Sequence, residues 1–182
     1  LRNTHIWLIE YFLKGISKCF KDKPQEPMHI IFCICDHFEP LWNNADYKKG
    51  LNRVKTWIEN YPKIADRHCD SDGYPPKYSF FYPAEEYRPE YLDLLAELCH
   101  NGYGEVEIHL HHDNDTPENL RETLLRFKET LANRHNLLSQ HEGTKEIKYG
   151  FIHGNWALDN SRRDGRWCGV NNELQILRET GC

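Results

Sequence analysis

The segment from His109 to Asp115 carries three histidines and two aspartates in seven residues. It follows a short run, Glu105–Ile108, whose alternation is typical of a β-strand. Alternate side chains of a strand share a face, so Glu107, His109 and His111 are expected to project together. Two imidazoles two residues apart at a strand end can bind one metal ion through neutral ring nitrogens. The pattern therefore favours a metal site over a solvated, histidine-rich loop.

The elements that must position these residues alternate between strand and helix. Strands are predicted near residues 28–35, 78–82, 105–111 and 148–153. The first of these is so apolar that it predicts a fully buried parallel strand. Helices are predicted at about 4–20, 47–61, 88–102, 116–131 and 171–180, the second of them ending before Pro62. This alternation indicates an α/β fold with a parallel sheet and helices outside it.

A polar cluster follows each of the four predicted strands. The clusters are Asp36–Pro40, Pro83–Glu86, His111–Asp113 and His153–Trp156. In barrels and in open α/β sheets, the carboxyl ends of the strands are where active sites form. We therefore expect one cleft to collect all four clusters.

Length and composition limit the classes of protein. With 182 residues the chain suffices for one domain with a hydrophobic core. A net charge of −5 lacks the basic footprint of a nucleic-acid-binding protein, and no apolar run approaches the ~20 residues that span a bilayer. The 13% aromatic residues and eleven histidines fit a cleft for a sugar or another polar ligand, and equally a well-packed core.

The cysteines predict the redox state of the protein. They are odd in number, lack a Cys-x-x-Cys pair, and several fall in apolar patterns; they are Cys19, Cys33, Cys35, Cys69, Cys99, Cys168 and Cys182. This usage indicates reduced, buried thiols in a cytoplasmic protein rather than a disulfide framework.

The two ends of the chain suggest how it is organised. Residues 1–23 are interpreted as an N-terminal amphipathic helix, whose charges exclude a signal-peptide core. The helix either docks on its own domain, which we favour, or makes weak contact with a membrane surface. Lys23–Pro27 is the predicted linker to a domain over residues 28–182. Because Gly181 caps the last helix where another strand should follow, we expect a fragment of a longer protein.

A metal site needs a third ligand besides His109 and His111. Asp36 and His37 place a carboxylate and an imidazole directly after the first strand. Either residue would complete a three-ligand site across the mouth of the sheet. Three protein ligands leave one coordination position for water or substrate, which is the catalytic arrangement rather than the structural one.

In the order and placement of these motifs, residues 28–181 resemble the polysaccharide deacetylase-like family (NodB-homology, carbohydrate esterase). Asp36–His37 resembles the family's acidic pair after the first strand, with His in place of the second Asp. His109-Leu110-His111 resembles the His-x-His variant of the second motif, and Asp113 has the spacing of its commoner form. Phe151–Trp156 takes the place of the third motif without its usual Arg.

The resemblance implies a parallel (β/α) barrel of the distorted seven-stranded type, incomplete in this chain, and a divalent metal, Zn²⁺. It implies that His37, His109 and His111 hold the metal, with Asp113 as a candidate in place of either imidazole, and that Asp36 is the general base. The implied activity is hydrolysis of acyl (acetyl) groups from an N-acetylated sugar or polysaccharide.

Four further residues are assigned to the carbohydrate substrate. Trp156 and Tyr82 could stack on a sugar face, and His153 and Asn155 could donate or accept hydrogen bonds; Trp156 fits a core aromatic equally well. Two other functions stay open because the motifs depart from the family pattern. One is a catalytically inactive glycan- or metal-binding module on the same fold, and the other is a metal-dependent hydrolase of small amides.

Overall fold

The computed structural model describes residues 4–19 and 28–182, in two compact units, Leu1–Phe32 and Cys33–Cys182. In the first unit, helix α1 (Thr4–Cys19) leaves Ile9, Phe12 and Ile16 exposed. The predicted linker Lys23–Pro27 lies outside the described residues. No described helix is both long enough and apolar enough to cross a membrane.

The second unit is an α/β structure built on a curled parallel sheet. Its elements are β1 (Ile34–His37), α2 (Tyr47–Ala65), β2 (Tyr78–Pro83), α3 (Pro89–Leu98), β3 (Gly104–Leu110), α4 (Pro117–Glu129), β4 (Ser139–Gln140), β5 (Ile147–Lys148), β6 (Phe151–His153) and α5 (Glu173–Thr180). The main sheet has the strand order β1-β2-β3-β6, with every pairing parallel. The predicted parallel α/β architecture is confirmed.

The two faces of the sheet differ in how they are covered. Along β2 and β3, residues such as Phe80, Tyr82 and Ile108 are wholly buried beneath the helices. On the other face several positions, among them Phe81 and Glu107, are only half-buried. One face therefore builds the hydrophobic core, and the other is free to carry polar side chains.

Local sequence signals set the starts of the helices. The Asp46 carboxylate accepts a hydrogen bond from Lys49 N (2.8 Å) ahead of α2, and Thr116 Oγ1 accepts one from Asn119 N (3.2 Å) ahead of α4. The predicted end of α2 before Pro62 is wrong, because the helix continues to Ala65. A proline costs an interior helix about 3 kcal/mol, which the burial of Tyr61 and Ala65 on the core side offsets.

The predicted first and fourth strands need correction. Residues from Met28 to Phe32 are exposed and lie before β1. β1 itself is not fully buried, because it is an edge strand that pairs with β2 alone among the described strands. The predicted strand 148–153 is divided. Its first residue lies in β5, which pairs with β4, and its last three form β6 in the main sheet.

The prediction of buried thiols holds for few of the described cysteines. Cys168 is buried and Cys99 is partly buried. The others whose side chains are described, Cys33, Cys35, Cys69 and Cys182, are exposed.

Candidate metal centre

Four polar side chains, His37, Glu39, His109 and His111, meet at the carboxyl ends of β1 and β3, and we call them the front cluster. The loop that carries Glu39 is held on both sides. Arg53 Nη1 donates hydrogen bonds to Pro40 O (2.8 Å) and Trp42 O (2.9 Å). Leu41 N donates to the Glu86 carboxylate (2.8 Å). The position of Glu39 is therefore fixed by the fold.

Glu39 Oε1 is the centre of the front cluster. It lies 3.3 Å from His109 Nε2, 3.5 Å from His111 Nε2 and 3.6 Å from His37 Nδ1. The ring centroids of His37 and His109 are 4.3 Å apart, and those of His109 and His111 are 4.6 Å apart. Three imidazoles and a carboxylate thus share one small volume.

The protonation of His109 is set by its backbone partner. Its Nδ1 lies 2.7 Å from Ile152 O, which can only accept a hydrogen bond, so Nδ1 carries the proton. Burial lowers the pKa of His109, which keeps Nε2 unprotonated. Nε2 is a buried atom without a hydrogen-bond partner, and its lone pair faces the Glu39 carboxylate. Two acceptors in contact inside a protein call for a cation between them.

His111 has the opposite environment. Glu85 Oε1 accepts hydrogen bonds from His111 Nδ1 (2.6 Å) and from His111 N (3.0 Å). The hydrogen bond to Glu85 raises the pKa of His111, and burial opposes this rise. The Glu85 carboxylate therefore both orients the ring and favours its protonated form.

The spacing of the donor atoms fits a metal ion. The ligand atoms of His37, Glu39 and His109 all lie within 4.8 Å of one another. Tetrahedral zinc with bonds of about 2.1 Å separates neighbouring ligand atoms by about 3.4 Å. The distances around Glu39 Oε1, from 3.3 to 3.6 Å, match this separation. Nitrogen and oxygen donors in this mixture suit Zn²⁺.

The predicted residues Asp36 and Asp113 are not part of the front cluster. Asp36 pairs in register with the buried Phe80, on the strand face opposite to His37. Burial, followed by the charge of Asp36 and a hydrogen bond to it, raises the pKa of Tyr78 on that same face. The Asp113 carboxylate accepts hydrogen bonds from Trp167 N (2.6 Å) and Asn114 N (3.0 Å). Glu39 takes the place foreseen for an aspartate ligand.

The four predicted substrate residues are dispersed. Tyr82 is wholly buried and its hydroxyl donates to Glu86 O (2.9 Å), so its predicted stacking on a sugar does not fit this position. Trp156 is 86% exposed, which excludes the core alternative. Asn155 Nδ2 donates to His112 O (2.8 Å), a backbone contact on the side of the rear histidine rather than in the front cluster.

His153 belongs to a second, buried group. Its register partner is Leu110, on the helix-covered face of the sheet. There it meets His112, Cys168 and Glu173, and we call these four residues the rear cluster. His112, which alternation predicts to turn away from His111, does so.

The sequence analysis missed three residues in or beside the front cluster, Glu39, Glu85 and Trp42. Glu39 stands two residues after His37, and Glu85 lies in the polar cluster after the second strand. Both therefore belong to the polar clusters that the sequence indicates, although neither is among the predicted site residues. Trp42 lines a pocket of about 480 Å³ together with His37, Glu39 and Arg53. Pockets of roughly 300 to 1,000 Å³ suit small ligands, and no motif in the sequence distinguishes Trp42.

Comparison with known protein families, with curated proteins and with solved structures finds no match. The fold and the front cluster define the class of protein: an α/β structure with candidate metal ligands at the carboxyl ends of its parallel strands.

Proposed function

We propose that the front cluster binds a divalent metal ion, Zn²⁺, and that the protein is a metal-dependent hydrolase that removes acyl groups from N-acetylated sugars. One observation carries the proposal: the unprotonated, buried Nε2 of His109 faces the Glu39 carboxylate at 3.3 Å. A cation between these atoms turns a repulsive contact into two bonds. The acetyl-sugar substrate rests on the resemblance to the polysaccharide deacetylase-like family, as does the seven-stranded barrel.

Opposite proton affinities divide the roles of the histidines. His109, with its lowered pKa, stays neutral and acts as a ligand together with His37 and Glu39. His111, with its raised pKa, holds a proton in its pair with Glu85. Neighbouring groups whose environments move their pKa values apart are typical of acid–base catalysis. When bound, the metal supplies a Lewis acid that polarises the acyl carbonyl.

In this proposal His111 is the proton donor, and Asp36 does not act as the general base that the resemblance implies. Protonated His111 points its Nε2 towards the front cluster, 3.5 Å from Glu39 Oε1, and can protonate a leaving amine. Asp36 lies on the other face of β1. Trp42, 63% exposed beside the pocket, replaces Tyr82 as the ring that stacks on a sugar.

The first prediction separates ligand from proton donor. His109→Ala removes a ligand, so bound zinc falls by one equivalent and acetate release is lost. His111→Ala retains the zinc but lowers acetate release by 10²-fold or more, as expected for loss of a general acid, roughly 10²–10⁴-fold. Zinc is measured by elemental analysis after gel filtration, and acetate release from a panel of N-acetylated sugars in the full natural protein.

His68→Ala is the matched control, because His68 is exposed and lies outside both clusters. It should keep the zinc content and the activity of the parent protein. Unchanged zinc in His109→Ala would contradict the metal site. If His109→Ala loses zinc as expected but the parent protein releases no acetate, the result would favour a metal-binding module without catalytic activity.

A further inference from the structure

The rear cluster lies on the helix-covered face of the sheet and plays no part in the proposed reaction. His112 Nε2 lies 3.0 Å from Glu173 Oε1, and His153 Nε2 lies 3.6 Å from the same oxygen. The Cys168 thiol lies 3.2 Å from Glu173 Oε2. One atom from each of the four side chains lies within 4.8 Å of all the others.

The rear cluster is closed to solvent. Cys168 and Glu173 are fully buried, and the side chains of His112 and His153 are 6% and 4% exposed. His153 Nε2 is a buried nitrogen without a hydrogen-bond partner, and it points at Glu173. A buried polar atom that is unpaired is costly, which marks a place where a partner is missing.

Charge gives a second, independent argument. The Glu173 carboxylate is fully buried and that of Asp115 is 7% exposed, and in the described part of the chain their ion-pair partners are histidines alone. Asp115 Oδ2 lies 3.2 Å from His112 Nδ1, which nevertheless makes no hydrogen bond. Two buried carboxylates without a lysine or arginine call for another positive charge.

We infer that the rear cluster is a second metal site, a structural zinc site with His112, His153, Cys168 and Glu173 as its four ligands. A thiolate, two imidazoles and a carboxylate with no open position make a closed structural set rather than a catalytic one. The contact between His112 Nδ1 and Asp115 becomes a hydrogen bond once Nε2 binds the metal, and it then orients the ligand ring from behind.

Metal binding replaces hydrogen bonds that hold the cluster together without it. In the metal-free state His153 Nδ1 accepts from Asn155 N (3.0 Å), so Nε2 carries the proton, and the Cys168 thiol donates to Glu173. On binding, the thiol loses its proton to solvent. His153 keeps one proton, now on Nδ1, and gives up its contact with Asn155. Metal binding therefore releases the thiol proton.

The structural role of the rear cluster is to hold the irregular segment between β6 and α5. Residues 154–172 contain one short helical turn, Leu158–Asn160, and otherwise no helix or strand. Trp156, Asp159 and Trp167 in this segment have positive φ angles. Long irregular segments inside a compact unit need other bonds to hold them. A metal bound to both ends of the segment, and to the end of β3, supplies them.

Cobalt is the probe that separates the two sites, because only the rear cluster offers a thiolate. Co²⁺ bound there gives a sulfur-to-cobalt charge-transfer absorption, which nitrogen and oxygen ligands do not give. In the parent protein we expect two equivalents of bound Co²⁺, and a thiolate band that saturates at one. Elemental analysis should find two equivalents of zinc in the protein as isolated.

Single substitutions show which of the two clusters holds each equivalent of metal. Cys168→Ser should abolish the thiolate band and remove one equivalent of metal. Cys99→Ser, the matched control at the other cysteine that is not exposed among those the structure describes, should keep both. His109→Ala should lose one equivalent but keep the band.

The outcomes separate this inference from the proposed function. A parent protein without the thiolate band overturns the inference, whether or not Cys168→Ser folds. Two equivalents of metal retained in Cys168→Ser overturn it as well. Loss of metal in Cys168→Ser, with none lost in His109→Ala, contradicts only the front site.

Discussion

His109 lies in β3 and His111 just past its end, yet their environments shift their pKa values in opposite directions. His109 is fully buried, and burial lowers its pKa although the hydrogen bond from its Nδ1 to Ile152 O opposes the shift. His111 is a third exposed and paired with Glu85, which raises its pKa. A strand end thus supplies a neutral metal ligand and a proton donor from the same sequence motif.

Glu85→Gln tests this division at the level of one residue. The change removes the negative charge beside His111 but keeps an oxygen that can accept its proton. The pKa of His111 should then fall, because the opposite charge that favours the protonated ring is lost. Because protonated His111 is the active form, the alkaline limb of the pH profile of kcat/KM should move to lower pH.

The zinc content of Glu85→Gln should stay that of the parent protein. The measurement is acetate release between pH 5 and 9 at saturating zinc. An unmoved alkaline limb would show that His111 is not the titrating group.

At the level of elements, the close approach of β6 and β3 positions the front cluster. Gly154 follows β6, and its N–H donates to Leu110 O (2.8 Å) at the end of β3. A side chain at Gly154 would put its Cβ 2.6 Å from His111 Nε2, a contact that real structures do not allow. The glycine of the His-Gly-Asn-Trp motif is therefore required by the neighbouring His111 ring, and not by its own backbone conformation.

Gly154→Ala should displace the His111 ring. Overpacking of this kind costs about 1–3 kcal/mol in the free energy of unfolding. Because Glu85 holds the His111 ring on its other side, the ring cannot move away from the new methyl group without losing that hydrogen bond. We therefore expect acetate release to fall at least 10-fold while zinc stays on His37, Glu39 and His109.

Gly143→Ala is the matched control, because a Cβ there makes only ordinary contacts with His141 at 3.5 Å. Thermal unfolding and acetate release measure both variants. Full activity of Gly154→Ala would contradict the position given to His111.

At the scale of the whole molecule, Glu107 on the less covered face of the sheet makes the stability of the fold depend on pH. Glu107 accepts a hydrogen bond from Gly150 N and lies near Glu105. Burial, opposed by that hydrogen bond and assisted by Glu105, raises the pKa of Glu107 from 4.5 to about 7. Folding therefore favours its neutral form, and the stability that this gives is lost as the pH rises from 4.5 through 7.

Glu107→Gln should make the protein more stable at neutral pH. The difference in the free energy of unfolding between Glu107→Gln and the parent protein should be near zero at pH 4.5, increase until about pH 7 and then stay constant. Its size should be roughly 2 kcal/mol, below the ~3 kcal/mol of the full shift because the group is partly solvated. Urea unfolding at several pH values measures it, with the exposed Glu97→Gln as control. A gap that shrinks with rising pH would reverse the sign assigned here.

The sequence by itself determined the order of the elements and the end of the sheet at which polar side chains gather. The alternation of strand and helix patterns is a local property, and parallel pairing follows from it. It also determined that His109 and His111 share a face, since side chains alternate along a strand. The start of α4 at Thr116 and Pro117 was equally a local signal.

Only the tertiary structure decided which side chains join these histidines and which are excluded. Apolar character predicted a buried strand over residues 28–35, but burial depends on neighbours, and β1 is an edge strand. The choice of Glu39 over Asp36 and Asp113 depends on the bend of the loop after β1 and on the hydrogen bonds that hold it. The rear cluster joins residues as far apart as His112 and Glu173, and no local pattern encodes a contact between segments that meet only when the sheet and α5 pack together.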